Sequence, residues 1–211
     1  MALLPTFAAT LFFALSCAPR SGAQEIKSSI SENIKTVVKV HWVTEEPTVG
    51  YVEFGAGTDY DLRTPLEQEA STQHEVTLLG LTSELDVHFR VVVEGAASDT
   101  SSEDHTIATG ALPKALPTFS IHGEGPDGYL GVPVVGTGFA SLVLNGEGEV
   151  VWYHVEDRGF RIFRSHLAAD RQSVVYAALP LLTDTGGNGE LVWVDLDGGH
   201  TTHVKMELIH H

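Results

Sequence analysis

The sequence predicts an all-β chain: a β-sandwich over residues 30–111, then the first blades of an incomplete β-propeller over residues 119–211. Three observations predict it. From residue 35 onward, apolar and polar residues repeatedly alternate at period two. Residues 30–111 hold no sustained 3.6-residue period. In the second half, a strand–turn–strand pattern recurs after about fifty residues, the length of one propeller blade.

Composition bounds the function. Of 211 residues, 43% are hydrophobic and 19% charged, enough to bury a core and too apolar for wholesale disorder. The 28 acidic residues outnumber the 12 basic ones, for a net charge of −16. Such a chain repels phosphate backbones, which excludes nucleic acid as a partner, and it disfavours docking on anionic lipid by charge alone. Cys17 is the single cysteine, so no intramolecular disulfide can form.

Residues 1–24 read as a signal peptide. Residues 1–16 carry no charge, and the apolar run Phe7–Leu15 is too short to span a bilayer but matches a leader core. Ala14-Leu15-Ser16-Cys17 resembles a bacterial lipobox. That resemblance implies export, lipidation of Cys17, and a periplasmic or outer-membrane lipoprotein held to the membrane by its lipid. The alternative is an ordinary secretory leader cut near Ala23.

In the first unit, Thr36–Val43 puts Val38, Val40 and Trp42 on one strand face. Glu45-Glu46-Pro47-Thr48 offers turn chemistry before a second strand, Val49–Phe54. Val76–Leu81 and Val87–Val93 form the next expected pair, and His105–Thr109 a last strand. Val38-Lys39-Val40-His41-Trp42 with Gly50-Tyr51-Val52-Glu53-Phe54-Gly55 resembles strands B and C of a fibronectin type III domain. Val76–Thr82 followed by His88-Phe89-Arg90-Val91 extends the likeness. The family's corner tyrosine is replaced by Val87, so its hydrogen bond is lost while the packing role survives. His41, His74, His88 and His105 are scattered without a ligand pattern and are expected on the surface.

Residues 112–118, with Pro113 and Pro117, read as a linker. Gly123-Glu124-Gly125-Pro126-Asp127-Gly128 is formally G-x-G-x-x-G. With Pro126 and two acids in the loop and strands after it, it is a turn cluster and no dinucleotide site. Leu142–Glu149 leads into the strand Val150–His154, and Val192–Gly199 repeats the plan. In both, Asn or Asp side chains shape the turn, and Gly148 or Gly198 supplies positive φ. Arg161–Phe163 and Ser173–Ala178 supply further strands around Ala169–Gln172. About four strands per blade and at least four blades per propeller mean that residues 119–211 are either an incomplete propeller or a smaller two-sheet structure.

The order of parts resembles the bacterial aryl-sulfate sulfotransferases, in which a β-sandwich precedes a six-bladed propeller. Val143–Tyr153 is similar to that family's first-blade segment, Leu191–Gly198 to the next, and Leu208-Ile209-His210-His211 to the start of its His-His-acid segment. The resemblance implies sulfuryl transfer from an aryl sulfate to a phenolic acceptor through a sulfohistidine, with no cofactor or metal. It makes His210 and His211 candidate catalytic channel residues and places the nucleophile beyond residue 211, so this chain should lack a complete active site. Neutral imidazole suits the attack, and cations would hold the sulfuryl oxygens.

Arg158, Arg161 and Arg164 cluster with His166. They could attract a sulfate ester, although a solvated strand edge accounts for them equally simply and is preferred. A frayed tail with no role is a second reading of His210 and His211; a third, a metal cluster with His200 and His203, is disfavoured, because positions three apart on a strand face opposite sides. Two other functions stay open: a non-catalytic exported or lipid-anchored protein that binds a carbohydrate or protein partner, and a metallophosphatase, for which the metal motifs are lacking.

Overall fold

The computed structural model describes residues 22–95, 98–117, 122–123, 125, 127–135, 139–180 and 189–206. Among them there is no helix, and every sheet is antiparallel.

The N-terminal unit is two sheets around one core. Strands β1 (Gln24–Ile30), β2 (Val38–Thr48) and β5 (Ser71–Leu78) form the first, in the order β1-β2-β5. The second contains β3 (Gly50–Gly55), β4 (Leu62–Arg63), β6 (Asp86–Val93), β7 (Thr100–Ser101) and β8 (His105–Ala108). Its order is β4-β3-β6-β7, with β8 also paired to β6. The alternation read from the sequence sets the interior. Val38, Val40 and Trp42 from β2 meet Val52 and Phe54 from β3 and Val87, Phe89, Val91 and Val93 from β6, all buried. Trp42 is 1% exposed and stacks flat on His74, their ring centroids 4.6 Å apart.

Four expectations need correction here. The first sheet starts at Gln24, so its edge strand β1 overlaps the end of the expected leader and precedes the expected boundary at residue 30. Glu45–Thr48 is the end of β2, not a turn. The pairing with β5 shifts register between Val43 and Thr48, and that irregularity accommodates Pro47, which cannot donate to a ladder. The strands expected as a pair around Val76 and Val87 lie in different sheets: β5 pairs β2, and β6 pairs β3. His74 is buried. Its Nδ1 bonds Glu67 Oε2 at 2.7 Å, and Nε2 lies 3.2 Å from Thr44 Oγ1. His41 and His88 do face outward, beside Glu75 and Asp104.

The C-terminal part is two stacked sheets. The first comprises β9 (Leu130–Val135), β10 (Phe139–Leu144) and β11 (Val150–Glu156), in the order β11-β10-β9. The second comprises β12 (Phe160–Leu167), β13 (Ser173–Pro180), β14 (Gly189–Asp195) and β15 (Thr201–Met206), in simple meander order. The sequence echo corresponds to the hairpins β10–β11 and β14–β15, whose turns carry Gly148 at φ +83 and Gly198 at φ +72. Strand partners share a face, so Trp152, His154 and Glu156 line up with Val143, Ser141 and Phe139. This face meets the second sheet. The Trp152 indole N–H donates to Leu196 O at 2.9 Å, and the hydroxyls of Ser141 and Ser165 are bonded to each other. Ile162, Val174, Tyr176, Ala178, Val192 and Val194 are buried at that contact or beside it.

The opposite face of the second sheet is different. Phe163, Ala177, Leu191 and Val204 form one transverse row across all four strands. Phe163 is 39% and Val204 45% exposed, with Ala177 and Leu191 half-buried. Trp193 stands in the next row, opposite Val175.

The two units share a junction. The segment between β1 and β2 sends Ile34 and Val37 into the C-terminal core. Around them, Ser31 Oγ donates to Asp197 O, Asn33 Nδ2 to Gly198 O, and Thr36 Oγ1 to Val151 O, at 2.7–2.8 Å. The Lys35 amide donates to the Tyr153 hydroxyl oxygen at 2.8 Å, and Lys39 pairs with Asp197 at 2.5 Å. Burial pushes the Asp197 carboxyl up, but Lys39 and the Gly199 amide outweigh it and hold the group below its ordinary range. The segment read as a linker is also packed, with Leu112 and Leu116 against the same core.

Gly198 is where this junction tolerates least. A Cβ there would lie 2.9 Å from Ile34 Cγ1, on a backbone already at positive φ. Gly198→Ala should therefore destabilise the fold by about 1–3 kcal/mol. Gly159→Ala, also at positive φ but with open space around it, should cost less. Parallel urea titrations of the two variants check this, and equal losses would mean that the contact with Ile34 is slack.

Candidate functional site

The residues that the sequence points to are not brought together. Cys17, His210 and His211 lie outside the described residues. The arginine cluster is split. Arg158 follows the end of β11 and, though partly exposed, reaches back to Glu156 and Glu190, while Arg161, Arg164 and His166 are exposed on β12, an edge strand. Arg164 sits at φ +50 within a register shift between Phe163 and His166. His203 reaches Glu190, whereas His200 is exposed before β15 begins. Among the described residues, no group of three or more His, Cys, Asp or Glu side chains is placed to hold a metal ion.

What the fold does assemble is a polar cluster at one end of the contact between the stacked sheets. Glu156 closes β11 on the inward face and is buried. Arg158 grips it with two bonds, Nε to Oε1 at 2.9 Å and Nη2 to Oε2 at 2.5 Å. Its Nη1 donates to Glu190 Oε2 at 2.9 Å, and His203 Nδ1 lies 3.2 Å from the same oxygen. The Tyr176 hydroxyl donates to Glu156 Oε2 at 3.2 Å. The Arg158 guanidinium also covers the Phe160 ring, 4.9 Å from its centroid.

The electrostatics follow from these contacts. Hydrogen bonding to Glu156 strengthens the hold of Arg158 on its proton. Burial, reinforced by the charge of Glu156, pushes the Tyr176 hydroxyl well above its usual range. Arg158 holds the Glu190 carboxyl below the ordinary value of 4.5. A carboxyl depressed in the folded state contributes stability above its unfolded pKa, and that contribution is lost as pH falls through the folded value. Stability should thus decline as pH drops below about 4.5, and Glu190→Gln should flatten that part of the profile. Thermal unfolding between pH 6 and pH 3 tests it; an unchanged slope in the variant would remove Glu190 from the account.

His154 stands beside this cluster, its ring centroid 5.8 Å from that of Tyr176. Burial lowers its pKa, so the imidazole is neutral near pH 7. Its side chain makes no hydrogen bond among the described residues, and it borders a cleft of about 450 Å³ with Asn33, Tyr153 and Thr201. Neutral imidazole can take a proton or act as a nucleophile. Among the described residues no hydroxyl or thiol is bonded to it, so no base–nucleophile pair is assembled among them. The other members of the cluster spend their hydrogen bonds on one another, which makes the cluster a clamp between sheets.

Sequence reading missed Glu156, Tyr176, Glu190 and His154. One signal was present: Trp152-His154-Glu156 continues the buried period of β11, and a carboxylate on a buried face requires a partner. Arg158, two residues on, was the nearest cation. No protein-family model matches the chain, and no curated protein matches it.

Proposed function

We propose that the chain is the N-terminal part of an exported protein of the aryl-sulfate sulfotransferase type. In this reading the N-terminal unit is a fibronectin III-like sandwich, and the stacked sheets are the first propeller blades. The observation that carries it is the transverse apolar row Phe163–Ala177–Leu191–Val204 on the far face of the second sheet. A blade packs its neighbours on both faces, and such a row is what the following blade would cover. The meander order of both sheets supports the same reading, as do the orders β1-β2-β5 and β4-β3-β6 for the sandwich.

Catalysis, on this proposal, belongs to the complete propeller. There a histidine beyond residue 211 takes the sulfuryl group from an aryl sulfate and passes it to a phenol, with His210 and His211 lining the channel. Cys17 carries the lipid that holds the protein at a periplasmic membrane face. Sequencing the DNA past codon 211 is the direct test. A frame that runs on through further blades with additional His and Arg supports the proposal, and its full product should then release phenol from a chromogenic aryl sulfate when a phenolic acceptor is supplied. A stop codon directly after His211 would sink the enzyme reading and leave a non-catalytic β-protein that binds a carbohydrate or protein partner.

A further inference from the structure

At the end of the sheet contact away from Glu156 lies a cavity of about 500 Å³. The N-terminal unit closes one side of it with Leu79 and Gly80, and the stacked sheets supply the rest. Its floor is apolar: Val143, Trp152, Val174 and Leu196. The Trp152 indole N–H is already committed to Leu196 O, so this ring offers only its π surface. The exposed lining residues, Tyr129, Gly131, His166, Leu167 and Arg171, mark the mouth. Tyr129 is 57% exposed, an unusual position for a large ring, and its hydroxyl sits directly against Gly80, where a Cβ would collide with it.

Arg171 is the informative residue. It sits in the β12–β13 turn at φ +58, a conformation that turns tolerate but non-glycine residues seldom adopt. It also borders the neighbouring cleft that holds Glu75, Asp195 and Asp197, yet it makes no ion pair among the described residues. Glu75 is taken by His41 and Asp197 by Lys39. Arg161 and Arg164 also lack an ion pair among the described residues, but of these three arginines only Arg171 lines the apolar cavity. Guanidinium groups recognise planar carboxylates by paired hydrogen bonds and stack well on rings.

We propose that this cavity binds a small planar aromatic carboxylate, its ring between Tyr129 and the Trp152 floor and its carboxylate on Arg171. The volume suits a ligand of one or two fused rings, and the mixture of apolar wall with a few polar groups at a unit boundary is the usual make-up of a ligand site. The proposal does not depend on the proposed sulfuryl transfer.

The test is direct binding to the full chain, followed by Trp fluorescence and calorimetry, with 2-naphthoate as probe. Saturable one-to-one binding is expected. Arg171→Gln should weaken it about tenfold, the loss of roughly 1.4 kcal/mol. The uncharged 2-naphthalenemethanol and the non-aromatic cyclohexanecarboxylate should each bind at least tenfold more weakly than 2-naphthoate. Arg171 is exposed, so its replacement leaves the fold intact, and far-ultraviolet dichroism verifies that. The proposal is overturned if 2-naphthoate shows no saturable binding at millimolar concentration. It is equally overturned if Arg171→Gln binds as tightly as the parent, or if the neutral naphthalene alcohol matches the acid.

Discussion

Replacing Trp42 with alanine should remove about 4 kcal/mol from the stability of the N-terminal unit, within the range for deleting a large buried aromatic side chain. The indole fills the space between the two sheets and rests so closely on Gly50 that a Cβ there would lie 2.9 Å from its Cζ2. Its stacking partner His74 would lose the ring that covers it while staying tied to Glu67 and Thr44, so the surroundings cannot collapse into the hole. Among the described residues the indole nitrogen has no hydrogen-bond partner, although it is buried. Trp42→Phe should therefore be cheap, because it removes an unsatisfied donor and keeps an aromatic ring. Urea unfolding of the two variants gives the comparison. A loss as large for phenylalanine as for alanine would mean that indole shape, and not ring volume, decides the packing.

Glu156→Ala is expected to cost about 3 kcal/mol. The substitution leaves Arg158 with only Glu190 and strips the buried Tyr176 hydroxyl of its acceptor, and both losses are larger than the net value of the bonds themselves. Arg158 is 37% exposed, and solvent screens it enough to keep the figure at the lower end for a broken buried pair. Glu156→Gln, which keeps acceptors but not charge, should cost less. The measurement is the shift in urea midpoint at constant slope, since a change in slope would point to a loosened native state instead. A shift worth under about 1 kcal/mol would show that the clamp behaves as an ordinary surface ion pair.

Much of the strand content was readable because burial here follows local pattern. Val38, Val40 and Trp42, or Val87, Phe89, Val91 and Val93, each announce one strand with one inward face. The turns at Asn145–Glu149 and Asp195–Gly199 were readable for a similar reason, since side-chain oxygens and a positive-φ glycine define them within five residues. Strand β1 escaped because Gln24–Ile30 is an edge strand with only Ile26 and Ile30 apolar, too sparse to rise above a leader's tail. His74 escaped because what buries it, the Trp42 face and the Glu67 carboxylate, comes from another strand and a loop. The pairing of β2 with β5, and of β3 with β6, depends on chain crossings that no alternation encodes. The polar cluster was hidden in the same way. Glu156 and Arg158 are neighbours in sequence, but Tyr176, Glu190 and His203 join them only when one sheet lies on the other, and the cavity at the opposite end exists only once Leu79 and Gly80 close it.

The junction at residues 31–37 has a mechanical consequence. A pair of units strung on a single connector can swivel like beads, and a pull on one is not felt as torque by the other. Here the hairpin turn around Asp197 and the outer strand β11 are gripped by a segment that also runs through the first sheet, with Ile34 and Val37 as pins and hydrogen bonds on either side. Whatever holds the first unit in space thereby fixes the azimuth of the stacked sheets, so the N-terminal unit serves as a bracket and not as a spacer.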